Sequence, residues 1–410
     1  MTKFQIERRR LLIAGGAGAL ALAAGRVLPA QAAEDPFRIG ALNPVTGAGG
    51  TYGPGMQKAI LFAVDEINEA GGAAGRTLEV FAEDTQTTPD AAVTAVKKLI
   101  EVNKVQIVMG TWSSGITLAV MPITTEAGIP EMNTSGAPAI STEDKDDLVW
   151  RFQATNGRFG RAFAEIAEQR GFKRPATMAF NNASGIGNTE GFKEAWEAKG
   201  GEVVASVVYE PKRASYRSEL QKVLAADPDV IVMGSYLPDT TIILREWYQS
   251  GHENKWIIPG WAANPKLVDA LGPEVTQGVI AVESIANEKA PSYERFARMY
   301  KEATGNDAST NIYAAMTYDM AIVWALAMEA AGPGASVAEI NAKIRDVANP
   351  GGKEVYSFEE GKAALKDGPI DYQGASSRLD FDEYGDVTPD FSEAVVQPDG
   401  SFKRLSVVKI

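Results

Sequence analysis

Short apolar runs rich in β-branched residues alternate with longer amphipathic stretches along almost the whole chain. The runs Arg38 to Leu42, Leu78 to Ala82, Val105 to Met109, Thr177 to Phe180, Val203 to Val207, Val230 to Met233 and Val279 to Val282 read as strands. Between the first two, Met56, Ile60, Ala63, Val64 and Ile67 recur at helical spacing, and Gly71-Gly72 follows where a helix C-cap belongs. Strand then helix, repeated about eight times, predicts an α/β chain whose mostly parallel sheets carry helices on both faces. The apolar stretch Asn311 to Ala331 is interrupted by Thr317, Asp319 and Glu329, which predicts a core helix and not a membrane span.

The N-terminus departs from this rhythm. Arg8-Arg9-Arg10-Leu11-Leu12, an uncharged run from Ile13 to Gly25, and Ala30-Gln31-Ala32 form a basic region, a short apolar region and a small-residue cleavage site, predicting a twin-arginine-like export signal over residues 1–32. The apolar run is too short to anchor the chain in a bilayer, and with no cysteine to acylate the product is not a lipoprotein. Cleavage removes five basic residues and one acidic one, taking the formal charge from −13 to −17. So acidic a surface repels nucleic acid and anionic lipid. About 378 remaining residues exceed what one hydrophobic core usually serves, so two domains are expected.

Few groups are left for chemistry. The single histidine, His252, lies in the polar turn Gln249 to Lys255. One histidine and no cysteine close off structural zinc and Cys-His nucleophile pairs. Ser113 and Ser114 lack a nucleophile elbow because position 111 is Thr, and Gly185-Ile-Gly187-Asn-Thr-Glu-Gly191 misses the dinucleotide fingerprint by one residue. A hydrolase needs two carboxylates facing one cleft, and the acidic run Asp380 to Glu383 reads as a solvated face. No enzyme, cofactor or metal is expected.

Binding remains. Val105 to Met109 runs into Gly110-Thr-Trp-Ser-Ser-Gly115 and then a helix, and the carboxyl end of such a strand is where open α/β sheets hold ligands. Free backbone N–H groups with the hydroxyls of Ser113 and Ser114 favour an anion there, while capping the following helix is a role compatible with it.

An ordered series of segments carries a resemblance. Ile39-Gly40, Pro44 to Gly47, Tyr52-Gly53, Ala63 to Asn68, Gly71-Gly72, Gly75-Arg76 and Asp84 are followed by Gly110 to Ser114, Ala137-Pro138 and Arg151-Phe152, then by Gly187 to Gly191, Gly234 to Tyr236 and Pro259 to Asn264. In order and spacing these resemble type I periplasmic binding proteins of the Leu/Ile/Val-binding kind. The resemblance implies two Rossmann-like lobes joined by a three-strand hinge near Thr155, Ile285 and Tyr372. Lobe 1 would comprise residues 33–155 and 286–372, and lobe 2 residues 156–285 and 373–410. It implies a periplasmic, monomeric receptor that closes on a small carboxylate or amino acid and hands it to the membrane subunits of an ABC permease. A sensory receptor of the same fold would read the same way.

Carried across by position, Ser114 matches the serine that holds the ligand carboxylate, with Ser113 beside it, and Ser135 and Gly136 match a pair that touches the ligand's α-substituents. Tyr52 and Trp112 match the side-chain pocket, and Tyr236 matches an aromatic lid from lobe 2. Ile186 stands where Tyr-Gly is common, and Gly260-Trp261 stands where amino-acid receptors place the glutamate that takes the ammonium. A buried ammonium without an anionic partner is costly, so Asp239 or the rings of Tyr236, Trp112 and Trp261 would have to replace that glutamate; otherwise the ligand has no ammonium.

Overall fold

The computed structural model describes residues 35–410, and the expected export signal at 1–32 lies outside them. The first five strands, β1 (Phe37–Asn43), β2 (Leu78–Asp84), β3 (Ile107–Thr111), β4 (Glu131–Asn133) and β5 (Val149–Arg151), form one parallel sheet in the order β2-β1-β3-β4-β5. The next five, β6 (Pro175–Phe180), β7 (Ala205–Tyr209), β8 (Val230–Gly234), β9 (Lys255–Pro259) and β10 (Ile280–Ser284), form a second parallel array in the order β7-β6-β8-β9-β10. A short parallel pair, β11 (Lys353–Val355) and β12 (Ile370–Tyr372), stands apart. The hairpin β13 (Phe391–Val396) and β14 (Phe402–Val408) then adds to β10 antiparallel.

Burial follows position in the sheet. Every residue of the central strands β3 and β8 is buried, whereas the edge strands β2 and β7 bury one residue each, Leu78 and Tyr209, and leave the rest half-buried or exposed. The helix Ile312–Ala331 is buried along most of its length, and its polar residues are used inside. Thr317 Oγ1 donates to the Met56 carbonyl at 3.0 Å, and the Asp319 carboxylate accepts from the amides of Ala375 and Ser376 at 2.9 and 2.7 Å. No helix among the described residues is long and apolar enough to cross a membrane.

Both arrays share one strand order, so each reverses direction at an equivalent place, between β1 and β3 in the first and between β6 and β8 in the second. Loops on either side of such a reversal diverge to opposite faces and leave a crevice at the strands' carboxyl ends. The chain passes between the arrays next to three mutually bonded segments: Gln153 with Ser284, through a 2.7 Å hydrogen bond, and Ile285 with Asp390, through an amide donating to a carbonyl at 2.9 Å. Beyond Tyr372 the chain stays with first-sheet elements: Phe381 packs edge-on against Trp150 and Phe152, and Asp386 pairs with Arg151 at 2.7 Å.

Candidate functional site

The two reversal points face each other. Gly110, at a φ of +97° next to an irregularity in the β3–β4 register, turns the chain so that Trp112 and Ser113 leave the sheet end. From the second array come Asn182 after β6, Tyr236 after β8 and Trp261 after β9. Ser113 Oγ and Tyr236 Oη lie 3.0 Å apart, and Asn182 Nδ2 donates to the same phenol at 3.3 Å. Tyr52, which follows β1, donates its hydroxyl to the Trp261 carbonyl at 3.2 Å and accepts from Asn264 Nδ2 at 2.8 Å. The Trp112 ring is the hub, with Tyr236, Tyr52 and Tyr313 at centroid distances of 5.4, 5.8 and 5.8 Å.

Ser114 opens the helix Ser114–Glu126 and is buried. Its Oγ accepts from the amides of Gly136 and Ala137 at 3.2 and 3.0 Å, which leaves its own hydrogen to give. Ser113 takes the N-cap position without capping the helix through its side chain, because its hydroxyl is engaged by Tyr236. Ser135 is fixed from two sides, its amide donating to Asn133 Oδ1 at 2.9 Å and its hydroxyl 2.6 Å from Thr117 Oγ1. Behind this turn the buried Arg151 donates to the carbonyls of Ser135 and Ala137, at 3.0 Å in each case, while pairing with Asp386. Buried positive charge therefore stiffens the loop that carries Gly136.

Trp112, Thr134, Gly136, Gln153, Tyr236 and Trp261 wall a cavity of about 20 Å³, together with Asn156, Phe159, Ser184 and Tyr313. Tyr313 also borders a neighbouring cavity of about 350 Å³ that holds Tyr52, Gly260, Asn264 and Glu283. Larger hollows of about 780 and 520 Å³ open elsewhere, but no aromatic ring lines either, unlike a typical small-molecule site.

Not all candidates come together. Ile186, half-buried in the helix Ala183–Ala198, is not in the wall of either cavity, nor are Ser113, Ser114 and Ser135, which stand behind Trp112 and Gly136, whereas Ser184 is. Asp239 is turned inward. Its carboxylate takes the Tyr209 hydroxyl and the Tyr236 amide, and burial pushes its pKa up to about 7. It is therefore not placed to replace the missing glutamate. Gln153, Asn156, Tyr313 and Glu283 carry no mark in the sequence that would single them out. Tyr313 sits in a helix whose apolar face reads as core, and Glu283 at a strand end gives no local signal.

The geometry agrees with three comparisons. Residues 36–366 match the family model described as periplasmic binding protein. The leucine-, isoleucine-, valine-, threonine- and alanine-binding protein of Pseudomonas aeruginosa is 24% identical over 301 residues, 73% of this chain and 80% of that protein. Among solved structures, a leucine-binding protein from Thermotoga maritima superposes with a TM-score of 0.77 at 23% identity, covering 91% of this chain and 98% of that one. An ABC-transporter solute-binding protein from R. palustris in complex with benzoate gives 0.71 at 20% identity, covering 91% and 96%. Opposed reversal points of two like-ordered parallel sheets and a family match over most of the chain lead to one statement: this chain belongs to the periplasmic binding protein family, whose members bind solutes and are not enzymes.

Proposed function

We propose that this chain is the exported solute receptor of an ABC importer and that it closes on one small carboxylate-bearing solute between its two sheets. The observation that carries the reading is the Ser114 hydroxyl. Two backbone amides occupy its lone pairs, so its hydrogen is held ready for an acceptor at the first helical turn, where unpaired amides and the helix dipole also favour negative charge. Tyr52, Trp112, Tyr236 and Trp261 supply apolar walls that suit either a branched aliphatic or an aromatic carboxylate, in keeping with what the relatives from P. aeruginosa and R. palustris bind.

A cavity of about 20 Å³ holds roughly one water molecule, far less than such a solute. Binding thus requires the sheets to swing apart and reclose, with Ser113–Tyr236 and Tyr52–Trp261 as contacts that break and reform. The proposed lobes are residues 33–155 with 286 to about 387, and 156–285 with the remainder, so the third crossing lies beyond Val387. The closed pair of lobes presents one composite surface to the permease. The expected export signal favours a periplasmic receptor, and the family pattern with the acidic surface favours a monomer.

A thermal-shift screen against branched and aromatic amino acids and the matching carboxylates tests this, because a ligand that binds only the folded state raises the midpoint with the logarithm of its excess. Ser114→Ala is expected to weaken the best binder by about 10- to 100-fold, the worth of a charge-assisted hydrogen bond, while unfolding costs change by about 1 kcal/mol. Unchanged affinity in that variant removes Ser114 from the site.

A further inference from the structure

We infer that Glu283 is the point of the site that receives a positively charged group of the solute, so that the solute carries a protonated amine beside its carboxylate. The inference rests on the receptor reading above. Glu283 stands at the carboxyl end of β10 on the wall of the 350 Å³ cavity, with Tyr52, Gly260, Asn264 and Tyr313 around it. Its hydrogen-bond partners are all neutral: the Ser284 amide at 3.0 Å, the Ser284 hydroxyl at 3.3 Å and the Tyr313 hydroxyl at 3.3 Å.

No countercharge among the described residues meets it. The other titratable groups on its cavity are the phenols of Tyr52, Tyr293 and Tyr313, all pushed up by burial and hence uncharged at neutral pH, and Glu288, which is paired with Arg404. Arg404, the basic residue among those lining the cavity, is held by Glu288 through two contacts of 2.6 and 2.8 Å. A desolvated carboxylate without a cation either takes up a proton or awaits a positive partner. Burial raises its pKa to about 7, so at neutral pH a cation can hold it ionised.

Gly260 belongs to this arrangement. Its amide donates to the Val282 carbonyl at 2.7 Å, which fixes the two strand ends side by side. A Cβ at position 260 would fall 2.7 Å from Glu283 Cβ and 3.0 Å from Oε2. The acid that position 260 lacks is therefore supplied from the next strand, in space that only glycine leaves open. Gln153 completes the polar wall. Its Oε1 accepts the Ser284 hydroxyl at 2.7 Å, while its buried Nε2 has no partner and belongs to a residue lining the smaller cavity. The two adjoining cavities thus offer a donor for a carboxylate at Gln153 in the smaller one and an acceptor for a cation at Glu283 in the larger one.

The test titrates the mature protein with L-leucine and L-phenylalanine, and with their deaminated counterparts 4-methylpentanoate and 3-phenylpropanoate, by thermal shift and calorimetry. Zwitterions are expected to bind and the amine-free acids not. Affinity for the better amino acid should fall about tenfold per pH unit below 7, as the carboxylate is protonated. Glu283→Gln should weaken binding at pH 8 by about 100-fold or more and abolish the pH slope, with Glu283→Asp weakened less. Should the Gln variant fail to fold, Gly260→Ala, which displaces the carboxylate without changing charge, is expected to weaken binding of the same amino acid. Binding of amine-free acids as tight as that of zwitterions overturns this inference and leaves the receptor reading standing, as does wild-type affinity in Glu283→Gln. A protein silent to all four probes fails both.

Discussion

Replacing Arg151 by methionine is expected to destabilise the protein by about 3–5 kcal/mol and to abolish tight solute binding at the same time. The guanidinium is fully buried, and its five donors are spent on Asp386, on the carbonyls of Ser135 and Ala137 and on the Ser141 hydroxyl. Methionine fills much of the volume but satisfies none of these acceptors, and it leaves Asp386 without its cation. Two consequences separate the electrostatic from the packing loss. Urea unfolding should show the double variant Arg151→Met, Asp386→Asn to be more stable than Arg151→Met alone, because the orphaned charge is gone. Solute affinity should stay low in both, since the turn carrying Gly136 has lost its brace. A single variant as stable as wild type, or a double variant that recovers binding, would show that the turn holds its shape without Arg151.

Arg151 also marks a limit of what local sequence pattern can show. The strands β1, β2, β3, β6, β8 and β10 are legible in it because their apolar runs are long enough to exclude other readings. The strands β4 and β5 are not: Glu131-Met-Asn133 and Val149-Trp-Arg151 are three residues each and carry buried ionisable side chains where a strand pattern wants apolar ones. Those groups are tolerated because neighbours meet them in three dimensions, Thr111 for Glu131 and Asp386 for Arg151, and such partners are invisible to local spacing. The hairpin β13–β14 escapes for another reason: it lies on a sheet edge, where β14 leaves the apolar Leu405 and Val407 exposed beside Lys403 and Arg404, so no in-out alternation marks it.

The site divides similarly. Trp112, Ser113, Ser114 and Tyr236 each follow a recognisable strand, so the rule that ligands sit at strand ends is enough to find them in the sequence. Gln153, Glu283 and Tyr313 come from a crossing segment, a strand end and an apolar helix, and only the tertiary arrangement unites them. Gly260 shows the limit of position-by-position transfer. Its missing carboxylate reads as a case against an ammonium-bearing ligand, but one strand away Glu283 stands against the space that Gly260 leaves open.

Glu131 gives the second large effect, and its sign is opposite to that of most acids. Its side chain is buried in the middle of the first sheet, where Thr111 Oγ1 donates to it at 2.7 Å and Thr124 Oγ1 approaches at 3.4 Å. Burial, with a smaller push from Asp144, raises its pKa to about 8 against an ordinary 4.5. A raised carboxyl pKa means that the folded state binds the proton more tightly than the unfolded chain. The associated stability is fully present below pH 4.5 and is lost as pH rises through 8, at about 1.4 kcal/mol per unit. Glu283 and Asp239, both near 7, and Asp319, near 6, shift the same way by burial, so the whole protein should weaken between pH 5 and pH 8. Glu131→Gln removes the titration while keeping the shape. Its Oε1 accepts from Thr111, and its Nε2 gives to Thr124 Oγ1, whose own hydrogen already goes to the Met121 carbonyl at 3.0 Å. The variant is expected to match wild type at pH 5 and to exceed it by about 4 kcal/mol at pH 8, read from urea midpoints at the two pH values. Equal pH slopes in the two proteins would mean that Glu131 is ionised in the fold and compensated by its threonines, and the alkaline weakening would then have to come from the other three acids.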